Sequence, residues 1–205
     1  LLNSEDGKLT MGAETSLSQP PKFRASAVGA FRQKPGCPAY EQGGLSSERM
    51  QSLCRDECYN PGDERKLITR IEVVRIRPQM TPNEPMQLAD GSSRIEDVWR
   101  TFDCEPDPAG CSVEFEDPEF NRDTRYYVRA IQEAAPHING ATLRAFNDEA
   151  GRAMGVHPCY SDKRTDPADD CLAMVEGRAW SSPIFLQHRK AAEAADNSGK
   201  EQRNE

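Results

Sequence analysis

The stretch from Cys104 to Glu133, CEPDPAGCSVEFEDPEFNRDTRYYVRAIQE, constrains the fold of this chain more than any other. Cys104 and Cys111 enclose Glu-Pro-Asp-Pro-Ala-Gly, a run of turn formers that lets the chain fold back until two sulfurs meet. Beyond it, Val113 and Phe115 alternate with polar neighbours, the period of a half-buried strand. DPEFNRD interrupts that pattern, and RYYVRAIQE resumes it with aromatic and β-branched residues that suit a pleated surface. The expectation is a β-hairpin-like unit with a covalent staple at its entry. The fold expected around it is mainly β: a two-layer β-sandwich-like domain with one or two short helices and long disulfide-stapled loops.

The rest of the chain supplies further elements. Residues 1–21 are polar and end in Gln-Pro-Pro, so they read as a loose lead-in to a single β-rich domain over 22–188. In KFRASAVGAF, Phe23, Ala25, Ala27 and Phe31 share one face of a strand. SSERMQSLCRDECYNPGDE begins with capping serines and reads as a short helix stopped by Asn-Pro-Gly-Asp. LITRIEVVRIR (67–77) has Ile and Val at both parities, which predicts a central strand buried on both faces with Val73, Val74 and Ile76 in the core. Residues 78–93, with three prolines, read as a long loop, and RIEDVWRTF as a strand or short helix anchored by Trp99. Residues 134–154 read as mostly loop, with Leu143, Phe146, Ala150 and Met154 as a helical stripe. Asp166 as N-cap, Pro167 in the first turn and Gly177 as stop frame a helix. AWSSPIFLQ reads as a final strand with Trp180, Ile184 and Leu186 on one face. Residues 189–205 form a polar, disordered or frayed tail, because KAAEAADNSGKEQRNE has no aromatic or β-branched side chain to bury.

Seven cysteines, several in Pro/Gly-rich or charged loops, suit disulfides in an oxidising compartment, either periplasmic or extracellular. The spacings C-x3-C, C-x6-C and C-x11-C match no common zinc pattern. Cys104–Cys111 and Cys159–Cys171 are expected as local disulfides; Cys37 is expected to pair with Cys54 or Cys58, leaving one thiol over. A formal net charge of −8 argues against nucleic acid and against an anionic membrane surface. No apolar run approaches the roughly 20 residues that span a bilayer. The chain opens on Leu-Leu, which reads as a removed leader or as a fragment of a longer protein.

The sequence offers little reactive chemistry. There is no glycine-rich phosphate loop, no G-x-S-x-G and no H-E-x-x-H. His157, Cys159, Asp162 and Asp166 read better as a disulfide-closed polar loop than as metal ligands. The acidic turn RDECYNPGDER reads as solvated in preference to a calcium site. Glu116, Asp117 and Glu119 sit close enough for acid/base work, but their spacing around Pro118 is that of an exposed turn. The expectation is therefore no catalytic, cofactor-binding or metal residue in this chain.

Five blocks carry a resemblance: RIEVVRIRPQ (70–79), VEFEDPEF (113–120), YYVRAIQE (126–133), CYSDKRTDPADDCLA (159–173) and RAWSSPIF (178–185). In this order they resemble the C-terminal portion of domain-of-unknown-function family 3604, over most of Met11 to Leu186. The resemblance implies a secreted or periplasmic protein. Its N-terminal domain would be a metal-binding hydrolase related to the polymerase-and-histidinol-phosphatase (PHP) superfamily. This β-rich region would pack on that upstream domain, which would hold the divalent metal. It also implies a disulfide between positions 145 and 153, which here are Ala145 and Ala153. From another class comes a free-standing secreted ligand-binding module, contacting its ligand through loop aromatics such as Tyr40, Tyr59 or Tyr160.

Overall fold

The computed structural model describes residues 1–38, 43–54, 58–138, 143–158 and 172–189. Strands β1 (Leu2–Ser4), β2 (Glu14–Leu17), β3 (Lys22–Ala27) and β4 (Phe31–Gln33) precede helix α1 (Ser47–Cys54). Then come β5 (Pro61–Arg65), β6 (Ile68–Ile76), β7 (Ile95–Asp103), β8 (Cys111–Glu116) and β9 (Thr124–Ile138). The last are β10 (Leu143–Asn147), β11 (Ala153–Pro158), β12 (Leu172–Trp180) and β13 (Ile184–His188). The mainly β class expected from the sequence is what the chain adopts. The described residues divide into two compact units, one within Leu1–Ile131 and Ala179–Glu205 and the other within Gln132–Arg178.

The first unit is built from two facing layers. One is a three-stranded sheet in the order β1-β3-β8, with Leu2 opposite Ala25 and Phe23 opposite Phe115. The other runs β2-β13-β9-β6-β7, with β12 also paired to β9. Side chains from both layers meet between them. The Phe23 ring lies 5.0 Å from Phe115 in its own sheet and 4.8 Å from Tyr126 of the facing one, and Trp99 approaches Phe115 at 6.3 Å. Leu2, Ile71, Val73, Ile184 and Leu186 complete this core. Each fully buried side chain of this size contributes about 1.5–3 kcal/mol before entropy is counted. Burial on both faces of β6 is seen in Val73 and Val74, both fully buried, whereas Ile76 at the strand end is only half-buried.

Several expectations are corrected by the structure. β8 and β9 do not pair. They lie in different sheets, and residues 117–123 carry the chain from one layer to the other, a span longer than the tight loops that close hairpins. Residues 1–21 are no loose lead-in: Leu2 is fully buried, and β1 and β2 each occupy one end of a sheet order. Phe31 leaves the face of Phe23 because Gly29 breaks the strand. A Cβ on Gly29 would stand 1.7 Å from the Lys66 carbonyl oxygen, so only glycine lets the two backbones approach this closely. β4 then pairs with β5.

The second unit departs most from expectation. The supposed helical stripe of residues 143–154 is the hairpin β10/β11, with Phe146 opposite Gly155. Its turn is set by Asp148, whose carboxylate accepts the backbone N–H groups of Ala150 and Arg152, and by Gly151 at φ 78°. That left-handed conformation suits glycine and cannot continue a helix. Positions 145 and 153 fall on these two paired strands, though not opposite each other. Leu172–Trp180 is strand β12 and no helix, with Gly177 inside it against the Gln132 side chain. The Asp166–Pro167 start and the 190–205 tail lie outside the described residues. Trp180 is exposed, while Ile184 and Leu186 are buried as expected.

Candidate functional site

Arg75 is among the most deeply buried polar residues of the first unit; it follows Ile71 and Val73 at alternate positions of β6, where the register shifts because β7 carries two extra residues between Glu96 and Arg100. Only 2% of it is exposed. Its Nε donates to Glu96 Oε2 at 2.5 Å and its Nη2 to Glu96 Oε1 at 3.0 Å. Nη1 donates to both oxygens of Asp117, at 2.9 and 3.0 Å, and Nη2 also reaches Glu119 at 3.1 Å. A guanidinium has five N–H groups, and this set occupies them all. Its flat face lies 4.4 Å from the Trp99 ring, and Arg100 approaches the same ring at 4.2 Å.

Asp117 is equally occupied. Besides Arg75 it accepts the Tyr126 hydroxyl at 2.6 Å and the Glu119 backbone N–H at 3.0 Å. Burial opposes the Arg75 charge, but the hydrogen bonds to Glu96 and Asp117 outweigh it and raise the pKa above the ordinary arginine value. Burial first, and then the Asp117 carboxylate, drive the Tyr126 phenol well above its usual range, so it stays protonated as a donor. The sequence read Asp117 as part of an exposed turn; it is 1% exposed, because its backbone N–H is tied to the Pro21 carbonyl and its carboxylate to Arg75. Glu119, two residues on, does point outward and is 67% exposed.

A second cluster holds the 78–93 loop. Glu84 accepts Arg122 through two hydrogen bonds, at 2.8 and 2.9 Å, together with Arg94 and the Met80 backbone N–H. Arg122 also donates to the Pro78 carbonyl and Arg94 to the Pro85 carbonyl, both at 2.7 Å. The Arg122 hydrogen bonds, then the Met80 N–H, lower the Glu84 pKa from 4.5 to about 2.

A third feature is a cleft of about 490 Å³. Leu9, Leu17, Pro20, Pro21 and Phe23 form its apolar lining, and Glu5, Asp6, Lys8 and Lys22 its charged rim. It opens where β2, the end strand of its sheet order, meets the segment that follows β1. Asp6 is fixed by the Ser4 hydroxyl at 2.5 Å and the Lys8 backbone N–H at 3.1 Å, which lower its pKa to about 2.

The cysteines expected to pair do so where they are described. Cys104–Cys111 joins the end of β7 to the start of β8, and so one sheet to the other. Cys37 pairs with Cys58, one of the two partners expected. The expected Cys159–Cys171 pair and the Cys54 side chain lie outside the described residues, as do Tyr40 and Tyr160. Tyr59 is exposed. Among the described residues no three His, Cys, Asp or Glu side chains converge as metal ligands do. No helix among them is long and apolar enough to cross a membrane. The Arg75 centre escaped the sequence reading because its members come from β6, β7, the 117–119 turn and β9; the only local signal was an arginine amid apolar residues in a central strand.

No family model matches the chain, and no curated protein or solved structure matches it.

Proposed function

We propose that this chain is the C-terminal accessory and structural domain of a secreted or periplasmic PHP-like metal-dependent hydrolase, packing on a catalytic domain outside it. One observation carries the reading. In the most organised polar group of the first unit, Arg75 and Asp117 spend their hydrogen bonds on protein partners. A group so occupied ties layers together and has no site left for a substrate. The turnover chemistry, with its divalent metal, belongs on this reading to the upstream domain. The two disulfides support an oxidising compartment.

The native polypeptide tests this. Its intact mass and sequence, recovered from the source, should include a domain rich in clustered His, Asp and Glu ahead of Leu1. Removing the present chain from that protein should lower its stability without abolishing metal uptake. A native protein lacking such a domain sinks the proposal. The cleft beside β2 favours a second reading, a free-standing secreted ligand-binding module, which a signal peptide directly before Leu1 would support.

A further inference from the structure

We propose that the cleft between β2 and the segment after β1 is a binding site for an uncharged, mainly apolar small molecule carrying one or two hydrogen-bonding groups. The site does not depend on whether a catalytic domain accompanies this chain. Its volume of about 490 Å³ lies within the few hundred to about 1,000 Å³ typical of small-ligand sites.

The walls are preformed. Ser4 N donates to the Leu9 carbonyl at 2.8 Å and Glu5 N to the Lys22 carbonyl at 2.9 Å, so the rim segment is tied at both ends. On the other side, β2 is held by its parallel pairing with β13, Thr15 opposite Leu186 and Leu17 opposite His188. The floor is Pro21 and Phe23, both buried and continuous with the core. A site already in its bound shape avoids the ordering cost of binding.

Charge and polarity define the ligand. The ionic rim is internally matched, Lys8 with Asp6 at 3.1 Å and Lys22 with Glu5 at 3.9 Å, so the rim carries two positive and two negative groups and no net charge of its own to hold an ion. The half-buried side chains of Leu9 and Leu17 supply the apolar contact area, over a floor closed by Phe23. Thr15 and Gln19 also line the cleft, and neither side chain forms a hydrogen bond among the described residues. They are the polar handles for a hydroxyl, carbonyl or amide on the ligand.

N-phenyl-1-naphthylamine, uncharged and brighter in apolar surroundings, is the probe. Titrated into the folded, disulfide-intact chain, it should give a saturable single-site rise. Leu17→Glu, which sets a charge on the half-buried wall, should weaken binding at least tenfold. The anionic relative anilinonaphthalene sulfonate should bind the wild type at least tenfold more weakly than the uncharged probe. NMR on the wild type makes the test independent of that variant's folding: probe addition should shift Leu9, Leu17 and Phe23. Absence of saturation, unchanged affinity in a folded Leu17→Glu, or shifts confined to other residues would overturn the site. Preference for the sulfonate would overturn the uncharged class.

Discussion

Replacing Asp117 by alanine tests the role assigned to the Arg75 centre. The substitution removes an acceptor of two hydrogen bonds from Arg75, one from Tyr126 at 2.6 Å and one from the Glu119 backbone. Breaking a buried ion pair from one side costs about 3–5 kcal/mol. Here the low end applies, because Glu96 still holds Arg75 through two hydrogen bonds. The Tyr126 hydroxyl, fully buried, loses its charged acceptor, which adds about 1 kcal/mol. The expected total is about 4 kcal/mol, a large part of the roughly 5–15 kcal/mol that holds a domain folded. With a urea slope of about 2 kcal/mol per M, the unfolding midpoint should fall by about 2 M. Asp117→Asn keeps one oxygen and should cost about half as much. Tyr126→Phe should cost about 1.5 kcal/mol in the wild type and clearly less in the Asp117→Ala background, since the two changes remove a shared contact. A midpoint shift below about 0.5 M for Asp117→Ala, with native circular dichroism retained, would refute a structural role for this centre.

Three further outcomes follow from other features. Glu84, lowered from 4.5 to about 2, contributes fully above its unfolded value and loses that contribution as pH falls toward 2; urea midpoints across this range should fall more steeply for wild type than for Glu84→Gln. Cys104 and Cys111 are separated by 7 positions, so replacing both by serine should cost about 2.5 kcal/mol by the loop-entropy estimate, read as a lower thermal midpoint of unfolding. Gly29→Ala forces a methyl onto the Lys66 carbonyl and should destabilise by about 1–3 kcal/mol or more, with faster hydrogen exchange in β4 and β5 as its local signature.

What the sequence revealed, it revealed through local periodicity. β6 was legible because Ile71, Val73 and Val74 interrupt charge with β-branched residues at both parities, a pattern that only a doubly covered strand needs. Cys104–Cys111 was legible because its turn residues lie between the two sulfurs. β8 and β9 were legible as strands but not as members of different sheets: alternation says which face is buried and nothing about which strand lies alongside. β10 was misread because helical spacing also fits strands closed into a hairpin by the Asp148–Gly151 turn, and β12 because Gly177, read as a helix stop, sits inside a strand. β1 and β2 are three and four residues long, too short for any period to register. The Arg75 centre draws on segments distant in the chain, so its partners were invisible in any one window; the cleft is lined from residues 4–23 alone, a stretch too polar and too broken by turns to show a buried face.

The parallel pairing of β2 with β13 also has a kinetic side. Glu14 meets Phe185 and Leu17 meets His188, so the second strand of the chain waits for the last before it can dock. Contacts of such long range are slow to form, because the entropy of closing the loop is lost before any contact repays it. During synthesis β2 therefore emerges early and stays unpartnered until Ile184–His188 leaves the ribosome. A chain stopped short of Ile184 lacks the neighbour that both β2 and β9 require, and should behave in pulse proteolysis as an open, cleavable species however complete the rest of its core.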